Sequence, residues 1–177
     1  MRDEAEHRGD SEAVGLGASR CRDADGVSVN LFGDDWDGGR DRPGWQWKRI
    51  AVAERLGARK IGGSVYELAP GQTTFPYHWH QLEEEWLIVL RGQPTLRDPS
   101  GERTLAEGDC VVFKAGPDGA HSIRNDTDGA VRLLMLSCDA EAEFCFYPDS
   151  GKVGLFGQGV RKFLDANAEL DYFAGED

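Results

Sequence analysis

Short strand-like runs, separated by turn-forming residues, fill the chain from Lys60 to Pro148. Each run is rich in β-branched and aromatic residues and is bounded by Gly, Pro, Asn or Asp, which is typical of β-strands. Helical periodicity is nearly absent. The pattern therefore predicts an all-β sandwich or barrel. The runs read KIGGSVYEL, TTFPYHWH, EEWLIVLRG, PTLRD, ERTLAEG, DCVVFKAG, AHSIRN, AVRLLMLSC and EFCFYP.

Two of the connections between runs have the composition of tight turns. Residues 98–101 read Asp-Pro-Ser-Gly, and residues 125–129 read Asn-Asp-Thr-Asp-Gly. Gly and Asn tolerate the positive φ angles that hairpin turns require. We therefore expect each segment to join two strands as a hairpin.

One predicted strand, residues 86–90 (WLIVL), is apolar on both faces. Such a strand is usually covered on its outer side as well as in the core. Upstream, residues 27–50 carry four large aromatic residues between Gly, Asp and Pro breakers, which indicates an ordered arm laid over another surface. Either this arm or a partner chain would cover the strand, and we expect a homodimer.

Composition changes at both ends of the chain. Residues 1–26 contain almost no large apolar side chain, so we expect a flexible acidic tail followed by a single domain over residues 27–177. At the other end, residues 146–177 carry apolar positions spaced by Gly and Asp. A short helix followed by a packing tail is the expectation for this C-terminal extension.

Charge and cysteine content exclude several classes of protein. The net charge of −12 argues against nucleic-acid and membrane partners, which need clustered Lys and Arg, and favours a small-molecule ligand. The polar, acidic first residues do not resemble a signal peptide, so we expect a cytoplasmic protein. The four cysteines include no C-x-x-C pair, so we expect reduced thiols.

The candidate chemistry lies in the histidines. His78 and His80 alternate along a predicted strand, so both side chains project to one face and Trp79 to the other. Two such imidazoles, together with a carboxylate and a third histidine such as His121, would form a ligand set that suits a first-row transition metal. Glu85 is one of three adjacent glutamates that could supply the carboxylate.

Two motifs in this region resemble those of the cupin family. The first reads Gly71, QTTFPY, His78-Trp79-His80, QLEE, Glu85, WLIVLR, Gly92, with one residue more than usual before the first histidine. The second reads Gly108, DCVVF, Lys114-Ala115-Gly116, PDGA, His121, SIR, Asn125. In the second motif Lys114 replaces the usual proline, and the loop before His121 is two residues longer. The resemblance covers about residues 61–138.

This resemblance implies a small cupin-type β-barrel, a double-stranded β-helix of jelly-roll form, with a metal held by His78, His80, Glu85 and His121. Glu85 is preferred over Glu84 and Glu83 because six residues separate it from Gly92, as in the motif. Glu84 should face away, and Glu83 should be solvated in the turn. Fe or Mn is the expected metal, and Zn or Ni would also fit the ligand set. The alternative is a barrel that keeps the pattern without binding a metal.

Two functions remain open at this stage. The first is a metal-dependent enzyme, dioxygenase-like or a related lyase or isomerase, acting on a small oxygenated organic substrate. Tyr66 and Glu67, on the strand before the first motif, are the candidate acid–base residues, and Cys110 could approach the site. The second is a non-catalytic metal-containing protein that binds or senses a small molecule.

Overall fold

The fold is described here from a computed structural model, which covers residues 28–138 and 140–176. Its elements are thirteen β-strands, one α-helix and two short 3₁₀ turns at Pro117–Gly119 and Pro148–Ser150. In chain order they are β1 (Gly38–Arg40), β2 (Trp47–Ile50), α1 (Val52–Leu56), β3 (Ile61–Leu68), β4 (Trp79–His80), β5 (Glu85–Arg91), β6 (Thr95–Asp98), β7 (Gly101–Thr104), β8 (Cys110–Phe113), β9 (Ser122–Arg124), β10 (Val131–Cys138), β11 (Ala142–Tyr147), β12 (Lys152–Gly157) and β13 (Val160–Asp165).

The strands form three antiparallel sheets. The largest has the order β1-β2-β3-β10-β5-β8, a second has the order β13-β12-β11-β4, and the third has the order β7-β6-β9. Neighbours in a sheet are often distant in sequence, as where β10 lies between β3 and β5. The predicted all-β barrel of jelly-roll form is confirmed.

The main core lies between the sheets and is entirely apolar. Inward-facing residues of β3, β5 and β10 meet residues of β6, β8 and β9, as alternation along each strand requires. The aromatic side chains of Trp47, Tyr66 and Phe75 close this core at the end that faces the candidate site. Its buried members are Leu68, Leu87, Val89, Leu96, Leu105, Phe113, Ile123, Val131, Leu133 and Met135.

A second apolar cluster lies on the outer face of the largest sheet. Val29, Leu31 and Trp36 of the arm pack against the same buried residues as Ile88 and Leu90 of β5 do. Those buried residues are Ile50, Val52, Val65 and Leu134. The arm and the outer face of the doubly apolar strand therefore belong to one apolar cluster, which agrees with one of the two expected explanations, although Trp86 at the start of the strand is 43% exposed. The homodimer stays a prediction, and the predicted acidic tail, residues 1–26, lies outside the described residues.

One of the two turn predictions is confirmed and the other is wrong. Asp98 pairs with Gly101, so β6 and β7 form the expected hairpin. Residues 125–129, however, connect strands of different sheets, because β9 pairs with β6 whereas β10 pairs with β3 and β5. The buried Asn125 side chain shapes this crossover, since its Nδ2 donates to Leu68 O at 3.0 Å and Gly129 O at 2.8 Å.

The predicted C-terminal helix is also wrong. β12 and β13 form a hairpin in which Gly157 pairs with Val160. The glycines at 157 and 159 both have positive φ, at 127° and 81°, which permits the tight reversal. The apolar residues of this segment are thus spaced for strands. In the part of the chain that the structure describes, the one α-helix has five residues, too few to cross a membrane.

Candidate metal centre

His78 and His121 are held together by their own backbones. His78 N donates to His121 O at 3.1 Å, and His121 N donates to His78 O at 2.8 Å, which forms an isolated antiparallel bridge. The two ring centroids are 4.6 Å apart. His121 follows the 3₁₀ turn at Pro117–Gly119. Although Lys114 replaces the proline of the cupin motif, His121 still forms the bridge with His78.

His80 joins this pair by strand alternation. Its ring centroid lies 5.0 Å from that of His78. The intervening Trp79 points the opposite way and stacks on Phe146, with centroids 4.1 Å apart and planes inclined by 10°. The one-residue spacing of the histidines thus places both rings on the same side.

Glu85, the first residue of β5, completes the cluster. Its Oε2 atom is 3.2 Å from His80 Nε2 and 3.1 Å from His121 Nε2. The potential ligand atoms of His78, His80 and Glu85 all lie within 4.8 Å of one another. His121 lies outside that compact group and reaches it through Glu85. The structure therefore brings the four predicted ligand residues together.

The chemistry of the cluster fits a metal cation. His80 Nε2, Glu85 Oε2 and His121 Nε2 are buried and have no hydrogen-bond partner among the described residues, because their close approaches lack hydrogen-bond geometry. Buried polar atoms without partners are costly, whereas a cation would bind all three. Nitrogen and oxygen ligands of this kind suit Fe, Mn, Zn or Ni.

The orientation of two imidazoles supports the same use. His78 Nδ1 lies 2.8 Å from Pro76 O, and His121 Nδ1 lies 2.9 Å from Gly119 O. A carbonyl oxygen only accepts, so Nδ1 carries the hydrogen and Nε2 keeps its lone pair. Imidazoles that bind metals usually donate their second nitrogen in this way.

Electrostatics favours the protonation states that metal binding needs at two of these residues. Burial, followed by repulsion from His121, lowers the pKa of His78 to about 3. Burial alone would raise the pKa of Glu85, but His121 and His80 outweigh it, so that pKa is well below the ordinary value. His80 differs: burial opposes its charge, yet Cys145 and Glu85 raise its pKa. A cation entering the cluster would displace that proton.

Two further residues surround His80. Cys145 Sγ lies 3.2 Å from His80 Nδ1, and Glu143 belongs with these two to a second compact group of potential ligand atoms. Glu143 is fully engaged, however. Its carboxylate accepts backbone N–H bonds from residues 81, 82, 83 and 144 at 2.7–3.3 Å. It therefore fixes the loop between β4 and β5 and is not placed to ligate a metal.

The cluster of candidate metal ligands opens into a cavity of about 1030 Å³, which is ample for a small organic ligand. The cavity is lined by His78, His80 and Glu85 and by the side chain of Tyr66. Burial raises the pKa of the Tyr66 hydroxyl, although Arg49 and Ser64 oppose the shift. At neutral pH this hydroxyl therefore stays protonated.

Glu67, the other predicted acid–base residue, does not line the cavity. Successive residues of a strand face opposite sides, so Glu67 points to the outer face of the sheet. There its carboxylate accepts bonds from Arg132 Nη2 at 2.5 Å and Nε at 3.1 Å. Arg132 in turn lies under Trp36 of the arm, with Cζ 4.8 Å from the ring centroid. Glu67 thus contributes to the attachment of the arm.

Sequence reasoning chose the wrong cysteine and misplaced one glutamate. Cys110 is exposed on β8, whereas Cys145 is buried and lines the cavity. Glu83 is not fully solvated: it lines the cavity and accepts a bond from Ala140 N at 3.1 Å. Glu84 is exposed, as expected, and binds Trp86 Nε1 at 3.0 Å. No sequence signal marks Cys145, because its neighbour His80 lies 65 positions away.

Comparison with known proteins identifies the domain. Residues 64–137 match the family model described as a cupin domain. A putative sugar phosphate isomerase from Acidithiobacillus ferrooxidans has a similar structure, with a TM-score of 0.70 and 26% sequence identity over 77% of this chain and 90% of that one. A sugar phosphate isomerase of the cupin superfamily from Silicibacter pomeroyi has a TM-score of 0.71 and 23% identity, over 82% and 97%. Among curated proteins, none matches this sequence.

Proposed function

Residues 64–137 of this chain match the cupin domain family, and on that premise we propose that the protein is a metal-dependent enzyme acting on a small oxygenated organic molecule. The observation that carries the proposal is the cluster of buried, unpartnered ligand atoms on His80, Glu85 and His121. Together with His78 they would hold the cation. A cation bound there would act as a Lewis acid toward a substrate oxygen.

The walls of the cavity supply the groups that would bind and orient the substrate. Tyr66 presents a hydroxyl beside the cluster, and its ring meets Trp47 and Phe75 edge to face, with centroids 5.1 and 5.5 Å away. This aromatic wall is apolar and excludes water from one side of the cavity. The Tyr66 hydroxyl would donate a hydrogen bond to a substrate carbonyl or hydroxyl oxygen.

A proton acceptor is also available. Most carboxylates in the cavity wall are engaged: Glu143 binds several N–H groups, Asp149 pairs with Arg97 at 2.6 Å, and Glu85 faces two imidazoles. Glu83 makes one bond, to Ala140 N, and is free to accept a proton from a substrate carbon. Return of that proton to the adjacent carbon, together with transfer of the substrate's hydroxyl proton to its former carbonyl oxygen, would complete an isomerisation.

Two reaction classes follow from such a site. The similarity to a putative sugar phosphate isomerase, at 26% identity, favours isomerase-type proton transfer over the dioxygenase-like chemistry that the sequence first suggested. Fe and Mn remain the expected metals for this nitrogen and oxygen ligand set, with Zn and Ni as further candidates. A small molecule is the partner in either class, and we keep the homodimer as part of the proposal.

Elemental analysis of the purified protein, followed by activity assays, tests this function. Protein loaded with Fe(II), Mn(II), Zn(II) or Ni(II) would be assayed for isomerisation of sugars and sugar phosphates, and for oxygen consumption with catechols and hydroxy acids. We expect metal bound near one equivalent per chain, with isomerase activity that is lost in Glu83→Gln while metal is retained. Oxygen consumption would instead support the dioxygenase-like reaction.

The metal-binding residues have a matched control. His80→Ala should lose most of the bound metal, whereas His7→Ala, at the one histidine outside the motif positions, should keep it. Unchanged metal content in His80→Ala would overturn the ligand assignment. Retained metal with tight ligand binding but no turnover of any substrate would identify a binding or sensing protein instead.

A further inference from the structure

Basic side chains line part of the cavity, beside its carboxylates, in a protein whose net charge is −12. Arg40, the last residue of β1, lines the cavity from the edge of the largest sheet. Arg161 on β13 and Lys152 on β12 line it from the opposite sheet. Strands that are far apart in the sequence and belong to two different sheets thus bring three basic side chains to the same cavity.

These basic groups lack the usual partners. Among residues 28–138 and 140–176, neither Arg40 nor Arg161 forms an ion pair with a carboxylate, although other arginines of the chain do. Like-charge repulsion accompanies this arrangement: burial, followed by the charge of Arg161, lowers the pKa of Arg40. Keeping two guanidinium groups close without an anion costs free energy, which a bound anion would recover.

The side chain of Arg40 is also held in place. Its guanidinium Cζ lies 5.0 Å from the ring centroid of Trp47 and 5.6 Å from that of Phe75. Stacking on two rings restricts the guanidinium plane, so little entropy is lost when it binds a ligand. Phe75 in turn lies 6.1 Å from His78, centroid to centroid. The ring of Phe75 therefore lies between the Arg40 guanidinium and the candidate ligand His78.

Tyr147 provides the same connection on the opposite wall. Its ring stacks on that of His78, with centroids 5.8 Å apart and planes inclined by 19°. On the other side Lys152 Nζ lies 5.4 Å from the Tyr147 centroid. Lys152 and the candidate ligand His78 thus contact the same aromatic ring, so one small molecule in the cavity could reach both.

We infer that Arg40 and Arg161, assisted by Lys152, form an oxyanion subsite that binds a phosphate or carboxylate group of the substrate. The other end of the same substrate molecule would reach the cluster of candidate metal ligands. This inference rests on the proposed function, since it assigns the substrate class of the same cavity. Guanidinium groups match these oxyanions by donating parallel hydrogen bonds. Because the protein has a net charge of −12, these basic side chains are where an anion would bind with the least repulsion.

Calorimetric titration with inorganic phosphate tests the subsite directly. Wild-type protein, Arg40→Gln, Arg161→Gln and Lys162→Gln would be compared at constant ionic strength, each with and without metal. Lys162 is the matched control, because it lies next to Arg161 on β13 but does not line the cavity. We expect phosphate affinity to fall by about tenfold or more in both arginine variants and to be unchanged in Lys162→Gln.

A parallel titration with acetate separates the two sources of oxyanion, since preference for acetate assigns the subsite to carboxylates and preference for phosphate assigns it to phosphate groups. The inference would be overturned if wild-type protein bound neither phosphate nor acetate. It would also be overturned if Lys162→Gln lost as much affinity as the two arginine variants. Arg161 is exposed, so its variant should fold even if Arg40→Gln does not. Measuring metal content distinguishes failure of the subsite inference from failure of the proposed function. Protein that binds phosphate but no metal would refute the metal-dependent function and leave the subsite inference standing.

Discussion

Cys145 Sγ approaches His80 Nδ1 to 3.2 Å, whereas the Nδ1 atoms of His78 and His121 face backbone carbonyl oxygens. Three histidines of one cluster thus have two kinds of support. For His80 to offer Nε2 to a cation, its Nδ1 must carry the hydrogen and donate it to sulfur, which is a weak acceptor. His80 is therefore the candidate ligand most open to adjustment by its neighbour.

Replacing Cys145 tests this support. Cys145→Val keeps the approximate volume but removes the acceptor, so metal affinity should fall by about 10- to 100-fold, as for other groups that orient ligands. Cys145→Ser should retain most of the affinity because a hydroxyl accepts the same bond. Competition titration with a chelating dye measures both. The exposed Cys110→Ser is the control, and wild-type affinity in Cys145→Val would refute the orienting role.

Glu143 should matter for stability and for metal binding together. Glu143 is 6% exposed, and its carboxylate accepts N–H bonds from Gln81, Leu82 and Glu83, in the loop between two candidate ligands. Glu143→Gln removes the charge and leaves part of this group unpaired, which should lower the free energy of unfolding by about 1–3 kcal/mol. Urea denaturation measures the change.

The neighbouring Glu141→Gln provides the matched control for that experiment. Glu141 is exposed on the same segment, so its neutralisation should leave the free energy of unfolding nearly unchanged. Equal effects in the two variants would show that Glu143 acts only through net charge. A loss of metal affinity confined to Glu143→Gln would show that the loop positions its ligands.

Stability at acid pH should depend on Asp37. Burial tends to raise the pKa of this carboxyl, but Arg55 and Ala51 N outweigh it and hold the pKa below its ordinary value of 3.8. A carboxyl whose pKa is lowered by folding stabilises the protein above the unfolded-state value, and loses that contribution as pH falls through the folded-state value. Asp37→Asn should thus be less stable than wild type by about 1 kcal/mol at pH 7.

Thermal unfolding between pH 2 and pH 7 measures this linkage. The difference between wild type and Asp37→Asn should shrink below about pH 4 and vanish once Asp37 is protonated in the folded protein. Asp35 also pairs with Arg55, at 3.1 Å, but its side chain is 82% exposed, so Asp35→Asn should have a smaller effect. A difference between wild type and Asp37→Asn that is independent of pH would contradict the ion-pair explanation.

Much of the fold was predictable because strand alternation and turn composition are local signals. The positions of His78 and His80 follow from period-two alternation, and the hairpin at Asp98 follows from its turn residues. The crossover after Asn125 was not predictable in this way. Its turn sequence is compatible with a hairpin, and the pairing of β10 with β3 and β5 is decided by tertiary contacts.

In the candidate site, too, the residues that belong to local motifs were predictable and those brought in by long-range contacts were not. The resemblance to cupin motifs located the cluster of His78, His80, Glu85 and His121, but it said nothing of what surrounds it. Cys145, Glu143 and Arg161 reach the cavity from strands that are distant in sequence and outside the family match at residues 64–137. Long-range contacts of this kind leave no periodic pattern, so no local rule could have found them.

The mutual backbone bonds between His78 and His121 have a consequence for the history of the site. Because main-chain atoms fix the separation of these positions, either side chain can change while the scaffold around it stays the same. These two positions are thus preorganised, and a metal bound between them would not be needed to drive folding as it is in zinc fingers. Exchange of one imidazole for a carboxylate would shift metal preference toward Mn or Mg, which gives the barrel a short mutational route to new chemistry.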